Sequence, residues 1–243
     1  MKIKQTAFAT GTILMMILAV ACGDKFLIDG LGDDATGARV KFINTCSNCP
    51  TVNVKVGGKF VTGAGLAFGG VFPTVGYGAF PAGDVSYEYV NAADGAVVLA
   101  GKVSTTDNKY YTVFLNDTIP TPTAFTTEDE IEAVKEDTLA RIRFVHGLSG
   151  KPKDTLECVR KIDNKIIASG IVYGKATPFN HLQQGNTADT FFIRQSGSTT
   201  AYPGLGNSIA TWAKGRTYTL YARGVSGKTV ATQVPRLDFY TNR

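Results

Sequence analysis

Residues 38–44 read Ala38-Arg39-Val40-Lys41-Phe42-Ile43-Asn44, and the same pattern returns as Ala140-Arg141-Ile142-Arg143-Phe144-Val145-His146. The correspondence continues in order. Gly65-Leu66-Ala67-Phe68-Gly69 returns as Gly170-Ile171-Val172-Tyr173-Gly174, and Lys109-Tyr110-Tyr111-Thr112-Val113-Phe114 as Arg216-Thr217-Tyr218-Thr219-Leu220-Tyr221. The spacing grows slightly along the chain, so the second copy carries small loop insertions. An ordered internal repeat says more about architecture than any single motif does. Two copies of about 100 residues, each with about seven short strands and no required helix, have the size and content of immunoglobulin-like sandwiches. The expected fold is all-β, with two tandem immunoglobulin-like antiparallel β-sandwich modules.

Local patterns agree. Thr51-Val52-Asn53-Val54-Lys55-Val56 sets three valines on one face and Asn53 and Lys55 on the other, the alternation of a half-buried strand. Val85, Tyr87 and Tyr89 alternate likewise with Ser86 and Glu88. Gly57-Gly58, Pro81-Ala82-Gly83 and Ala93-Asp94-Gly95 supply turns between such runs. The boundary between the copies falls in residues 118–138, where Thr123 to Thr127 reads as the last strand of copy one, echoed by Gly227 to Val234 in copy two. Residues 128–137, EDEIEAVKED, lack the apolar stripe of a packed helix and read as a charged connector. The expected organisation is module 1 over 38–127, a connector over 128–138 and module 2 over 139–243.

Ahead of the repeat stands a different kind of segment. Lys2 and Lys4 precede the uncharged run Ala7 to Ala21, long enough for a signal-peptide core and shorter than the ~20 apolar residues that span a bilayer. The run ends Leu18-Ala19-Val20-Ala21-Cys22, which resembles the bacterial lipobox. That resemblance implies a lipoprotein signal peptide over 1–21 and a lipidated Cys22 as the mature first residue; Ala19 stands where the commoner lipobox has Leu. Each buried CH₂ contributes about 0.8 kcal/mol, so two or three acyl chains anchor a protein stably. Residues 22–37, rich in Gly and Asp, then read as a tether. The expected place is the cell envelope, lipid-anchored, at the outer membrane.

The stretch ARVKFIN, the loop TCSNCP, the run TVNVKVGGKFV, then GLAFG, a PAG turn and a YYTVFL strand together resemble the domain of unknown function 4397 family. Its modules begin with an Ala-Arg-Val strand and a Ser/Pro-rich loop of the type A-S-P-N-S-P-A-V-D-V. The resemblance spans roughly residues 38 to 234 and is closer in copy one. It implies tandem immunoglobulin-like modules, often on secreted or surface bacterial lipoproteins, with no established activity. Cys46 and Cys49 stand at the two serine positions of that loop.

Composition and motifs exclude several functions. Of 243 residues, 44% are hydrophobic and 19% charged, a globular balance. The formal charge of +5 drops to about +3 once Lys2 and Lys4 are removed. Basic residues such as Lys55, Lys59, Lys109, Arg160, Lys161 and Arg216 are scattered, whereas a nucleic-acid footprint needs a dense stripe. Cys46 and Cys49 form a C-x-x-C, whose readings include half of a metal site, a redox pair, a disulfide and incidental thiols. A structural zinc needs two more ligands, and Cys158, His146 and His181 would have to come from the other module. A redox pair wants a helix N-terminus, and this loop lies between strands. In an oxidising envelope the expectation is a local disulfide, with Cys158 packed as a small apolar residue. No metal and no cofactor is expected. Gly224-Val225-Ser226-Gly227-Lys228 fails the G-x-S-x-G spacing, and the glycines from Gly63 to Gly69 lack the helix of a dinucleotide loop. Trp212 and Tyr202, with Tyr77 and Tyr110, are candidates for an exposed stacking platform for sugars. The expected function is a non-enzymatic binding or structural, adhesion-like role toward an unknown envelope protein or glycan. A glycan-binding accessory lipoprotein is the alternative.

Overall fold

The computed structural model describes residues 36–131, 139–150, 154–183, 188–202 and 208–243. The leader 1–21, Cys22, most of the tether and residues 132–138 of the connector lie outside them. No described residue is helical. The first half holds β1 (Ala38–Asn44), β2 (Val52–Val56), β3 (Lys59–Phe60), β4 (Val71–Phe72), β5 (Gly78–Phe80), β6 (Gly83–Asn91), β7 (Val97–Thr105), β8 (Tyr110–Thr118) and β9 (Thr121–Asp129). The second holds β10 (Leu139–His146), β11 (Leu156–Arg160), β12 (Ile166–Ile171), β13 (Asn180–Gln183), β14 (Asp189–Gln195), β15 (Ser208–Ala210), β16 (Thr217–Arg223) and β17 (Arg236–Thr241).

Each half is a two-sheet sandwich. In the first, the sheet β4-β1-β8-β9, with β5 also on β1, faces the sheet β3-β2-β6-β7; in the second, β13-β10-β16-β17 faces β12-β11-β14-β15. Alternation builds the cores. Val40, Phe42, Val52, Val54, Tyr89 and Val113 fill the first, and Ile142, Phe144, Leu156, Cys158, Phe191 and Trp212 the second. The Gly57-Gly58 turn joins β2 to β3 with both glycines at positive φ (56° and 80°), a conformation that a side chain would oppose.

The repeat holds down to single hydrogen bonds. Asn44 N–H bonds Gly70 O at 2.9 Å and its carbonyl accepts Gly69 N–H at 2.6 Å; His146 does the same with Lys175 O at 3.0 Å and Gly174 N–H at 2.8 Å. Three expectations need correcting. The sheets are not purely antiparallel, because β1 pairs β8 and β10 pairs β16 in parallel. Parallel neighbours need a long crossover, and the run through the opposite sheet provides it. The last strand of the second half is β17, not residues 227–234, which form turns. The last strand of the first half extends past Thr127 to Asp129.

Along β1 and β10 nearly every residue is buried, on both faces. The second face of each meets the other half. Ile43, Phe114, Val145, Tyr221 and Tyr240 form a third apolar cluster, with Val71, Phe125 and Ala176 against it. The cluster takes equivalent residues from both halves, Ile43 and Val145, Phe114 and Tyr221, the last two in ring contact. The contact resembles an isologous dimer interface within one chain. The two sandwiches lie side by side with β1 and β10 running the same way. Tyr77, Asp129 and Asn242 join them near the strand starts, while Asp117 meets Ser149 and Asn48 N–H meets Thr232 O near the strand ends.

Candidate functional site

The residues singled out in the sequence scatter across the molecule. Cys46 and Cys49 are joined by a disulfide, with Cα atoms 5.5 Å apart, in the loop after β1. Cys46 packs into the first core and Cys158, a free thiol, into the second. Burial pushes the Cys158 thiol well above its ordinary range. Among the described residues no cluster of three or more His, Cys, Asp or Glu could hold a metal ion. His146 and His181 lie at opposite ends of β10: His181 pairs across from Arg141, and His146 ends the strand.

His146 has a structural task. Its Nδ1 accepts the Leu148 N–H at 3.3 Å and its Nε2 lies 3.3 Å from the Asp154 carbonyl oxygen. Asn44 does the same for the first loop, its Oδ1 accepting the Cys46 N–H at 3.1 Å. Burial lowers the imidazole pKa to about 4, against a smaller upward pull from the Asp154 carbonyl and carboxylate. The ring is neutral at pH 7.

The exposed aromatic platform does not form. Trp212 is 2% exposed, its Nε1–H donating to the buried Asp189 at 3.0 Å while the ring packs on Phe191 and Tyr218. An indole whose N–H has a buried partner can enter a core whole. Tyr77 is buried, its hydroxyl 2.6 Å from Asp129, and Tyr110 is half-buried edge-on against it. Tyr202 is 8% exposed, and that edge lines a cleft. The glycines before β4 cradle no ligand: a Cβ on Gly69 would lie 2.9 Å from the Arg223 guanidinium, which stacks over Phe68 at 3.9 Å.

Sequence reading missed the polar centre of the interface. Asp129, at the end of β9, accepts from Tyr77 Oη at 2.6 Å, Thr112 Oγ1 at 2.5 Å and Arg143 Nη2 at 2.5 Å. Arg143 also donates to Thr219 at 2.9 Å, and Asn242, the counterpart of Asp129 in the second half, donates to Tyr77 at 2.6 Å. Burial alone would lower the Arg143 pKa, but the Asp129 carboxylate outweighs it and the net shift is upward. Lys41, the counterpart of Arg143, donates to Pro73 O at 2.7 Å beneath the rings of Tyr77 and Tyr240. Burial lowers its pKa to about 7, with Asp129 pulling the other way. A buried, hydrogen-bonded cluster like this one holds two bodies in register and offers no room to a substrate.

Open space lies elsewhere. A cleft of about 360 Å³ at the loop end of the second sandwich is lined by Gln195, Ser198, Thr200, Ala201, Tyr202 and Ser226 among others. The Tyr202 hydroxyl meets Ser226 Oγ at 2.9 Å and Asp154 at 3.4 Å, so the ring is fixed. None of the described lining residues carries a charge. A second cleft of about 330 Å³, lined by Ile142, Lys165, Ile166, Asn180 and His181 among others, lies between the edge strands β12 and β13.

Comparison with known proteins bears on the first half. No curated protein matches the chain. A family model described as Domain of unknown function (DUF4397) matches residues 38–156, the whole first sandwich with β10 and the loop that follows it. The second half repeats strand-end hydrogen bonds of the first. Through residues 38–156 the chain belongs to the DUF4397 family.

Proposed function

We propose that this protein is a non-enzymatic lipoprotein of the cell envelope, held at the outer membrane through Cys22, whose paired immunoglobulin-like modules form one rigid body with a binding role. The observation that carries the reading is the distribution of chain ends and loops. The start of β1, the end of β9, the start of β10 and the C-terminal Arg243, bonded to Thr217 N–H, gather at one end of the pair. The Cys46–Cys49 loop, residues 147–150 and residues 224–234 gather at the other. A tether entering at Thr36 therefore leaves the loop end pointing away from its attachment point. The bonded, neutral His146 and the buried Cys158 thiol leave neither residue placed as a base or a nucleophile. Partners on this reading are the membrane, through the lipid, and an envelope protein or glycan at the loops. A glycan-binding accessory role is the second reading, favoured by the uncharged lining of the cleft at Tyr202.

The test is metabolic labelling of cells with an alkyne fatty acid. Wild-type protein is expected to carry label and to fractionate with the outer membrane, and Cys22→Ser to lose both. Unlabelled, soluble wild-type protein would sink the proposal, as would a turnover activity that His146→Ala abolishes.

A further inference from the structure

The repeat provides an internal reference for which parts of each module the fold requires. The first module closes β6 to β7 through residues 92–96 and β8 to β9 through residues 119–120. In the second module Arg194 bridges Ala201, so the first of these hairpins turns over the same length, whereas β16 and β17 are joined by residues 224–235. The same sandwich forms with either set, so the added length is not there for folding. Extra loop length costs little entropy, and long loops in a compact domain usually serve a function. The addition sits at the same end of the module as the hairpin that follows β14 and meets it through the hydrogen bond between Tyr202 and Ser226. The cleft lies where they meet.

We propose that this cleft is a saccharide-binding site for an uncharged sugar, a proposal that deepens the binding role given above and rests on it. The lining chemistry selects the class. Gln195 Nε2 donates while its Oε1 accepts, and the hydroxyls of Ser198, Thr200 and Ser226 do both. Sugar hydroxyls also donate and accept, so each finds a partner on such a wall. A phosphate, sulfate or carboxylate would need a cation or a set of converging N–H donors, and none of the described wall residues is a Lys or Arg. Tyr202 adds an aromatic edge, held still by Ser226 and Asp154, against which the apolar face of a pyranose can rest. The volume of about 360 Å³ is at the small end for ligand pockets and accommodates about one or two sugar rings. Ser198 is already ordered by its own turn, accepting the Thr200 N–H at 3.1 Å, so little freedom is lost on binding.

The experiment uses the full lipoprotein in detergent on an array of neutral oligosaccharides (glucose, mannose, galactose and N-acetylglucosamine oligomers) beside uronic, sialylated and phosphorylated ones, with a peptide library screened in parallel. Hits are titrated calorimetrically. Neutral oligosaccharides are expected to bind, and Gln195→Ala and the cleft-filling Ala201→Trp to weaken them about tenfold or more. Lys102→Ala, on the exposed outer sheet of the first module, is expected to bind as wild type. Gln195 is exposed, so its variant keeps the wild-type thermal midpoint and isolates binding from folding. The proposal is overturned by an absence of neutral-sugar binding, by preference for acidic sugars or peptides, or by binding that both cleft variants leave intact. Protein that is lipidated at Cys22 yet binds no sugar overturns this site alone. Protein that is never lipidated overturns the envelope reading and leaves the sugar result standing.

Discussion

The two copies assign equivalent positions different residues for one task, and Asn44 and His146 are the clearest pair. Each uses a side-chain acceptor to bond the N–H two residues on, Cys46 or Leu148, and so turns the chain out of its strand. An amide does this at any pH, whereas an imidazole does it only while neutral. His146 is 1% exposed and its pKa falls from 6.5 to about 4 on burial. In the unfolded chain it takes up a proton near pH 6.5, in the folded one only near 4. Between those values the unfolded state binds more protons, so stability falls as pH drops from 6.5 toward 4 and is fully present above 6.5. His146→Asn should flatten the profile in that window and leave stability near neutrality within about 1 kcal/mol. Urea midpoints at pH 4.5, 5.5 and 7 would show it; equal slopes in the two proteins would place the titration elsewhere. The sequence displayed the Asn44 and His146 alignment but not its meaning, because a strand-end histidine looks alike whether it bonds the backbone or a ligand.

At the scale of elements, the strands whose outer face meets water were legible and those with two buried faces were half legible. Val52, Val54 and Val56 announce β2 by alternation because Asn53 and Lys55 are only partly covered. In β1 the same rule predicts solvent around Arg39, Lys41 and Ile43, and all three are buried. The signal that could have corrected this is the apolar end of the supposed outer face: Ile43, Val145, Phe114 and Tyr221 recur there in both copies, so each strand ends on adjacent apolar residues that face opposite ways. Asp129 had little local signal, since Tyr77 stands 52 residues before it and Arg143 lies across the connector in the other module. The loop after β1 shows what one copy gains from a covalent clip. Module two builds the equivalent turn without cysteines, so the disulfide is an addition to a turn that forms anyway. Closing so short a loop restricts the unfolded chain by roughly 2 kcal/mol. Cys46→Ser with Cys49→Ser should lower stability by about that much, plus the cost of placing a serine in the core at position 46. Reducing wild type without mutation separates the two terms. A reduced protein as stable as the oxidised one would mean the clip contributes nothing.

For the whole molecule, the main consequence of the repeat is that its two copies are not beads on a string. An interface that takes equivalent residues from both halves could have stayed symmetric, yet its centre is not: Arg143 stands opposite Lys41, and Asp129 has Asn242 as its counterpart. One carboxylate serves a buried arginine and two hydroxyls, while the other side makes do with a lysine whose charge burial opposes. A symmetric version would bury two carboxylates or none, so the asymmetry lets a single ion pair lock the register of two similar sheets. Breaking such a pair from one side leaves an uncompensated buried charge, at a cost of about 3–5 kcal/mol, whereas removing both partners is far milder. Asp129→Asn should therefore destabilise the whole chain by that amount, and Arg143→Met by a comparable one. The double variant should recover most of the loss, giving a large coupling energy in the cycle. Because β9 and β10 belong to different modules, the measurement also reads their cooperation. If the modules unfold as one, calorimetry of Asp129→Asn shows a single transition at lower temperature. If they are independent, the cycle gives no coupling and the trace splits in two, and the rigid body proposed for presenting the loop end is lost with it.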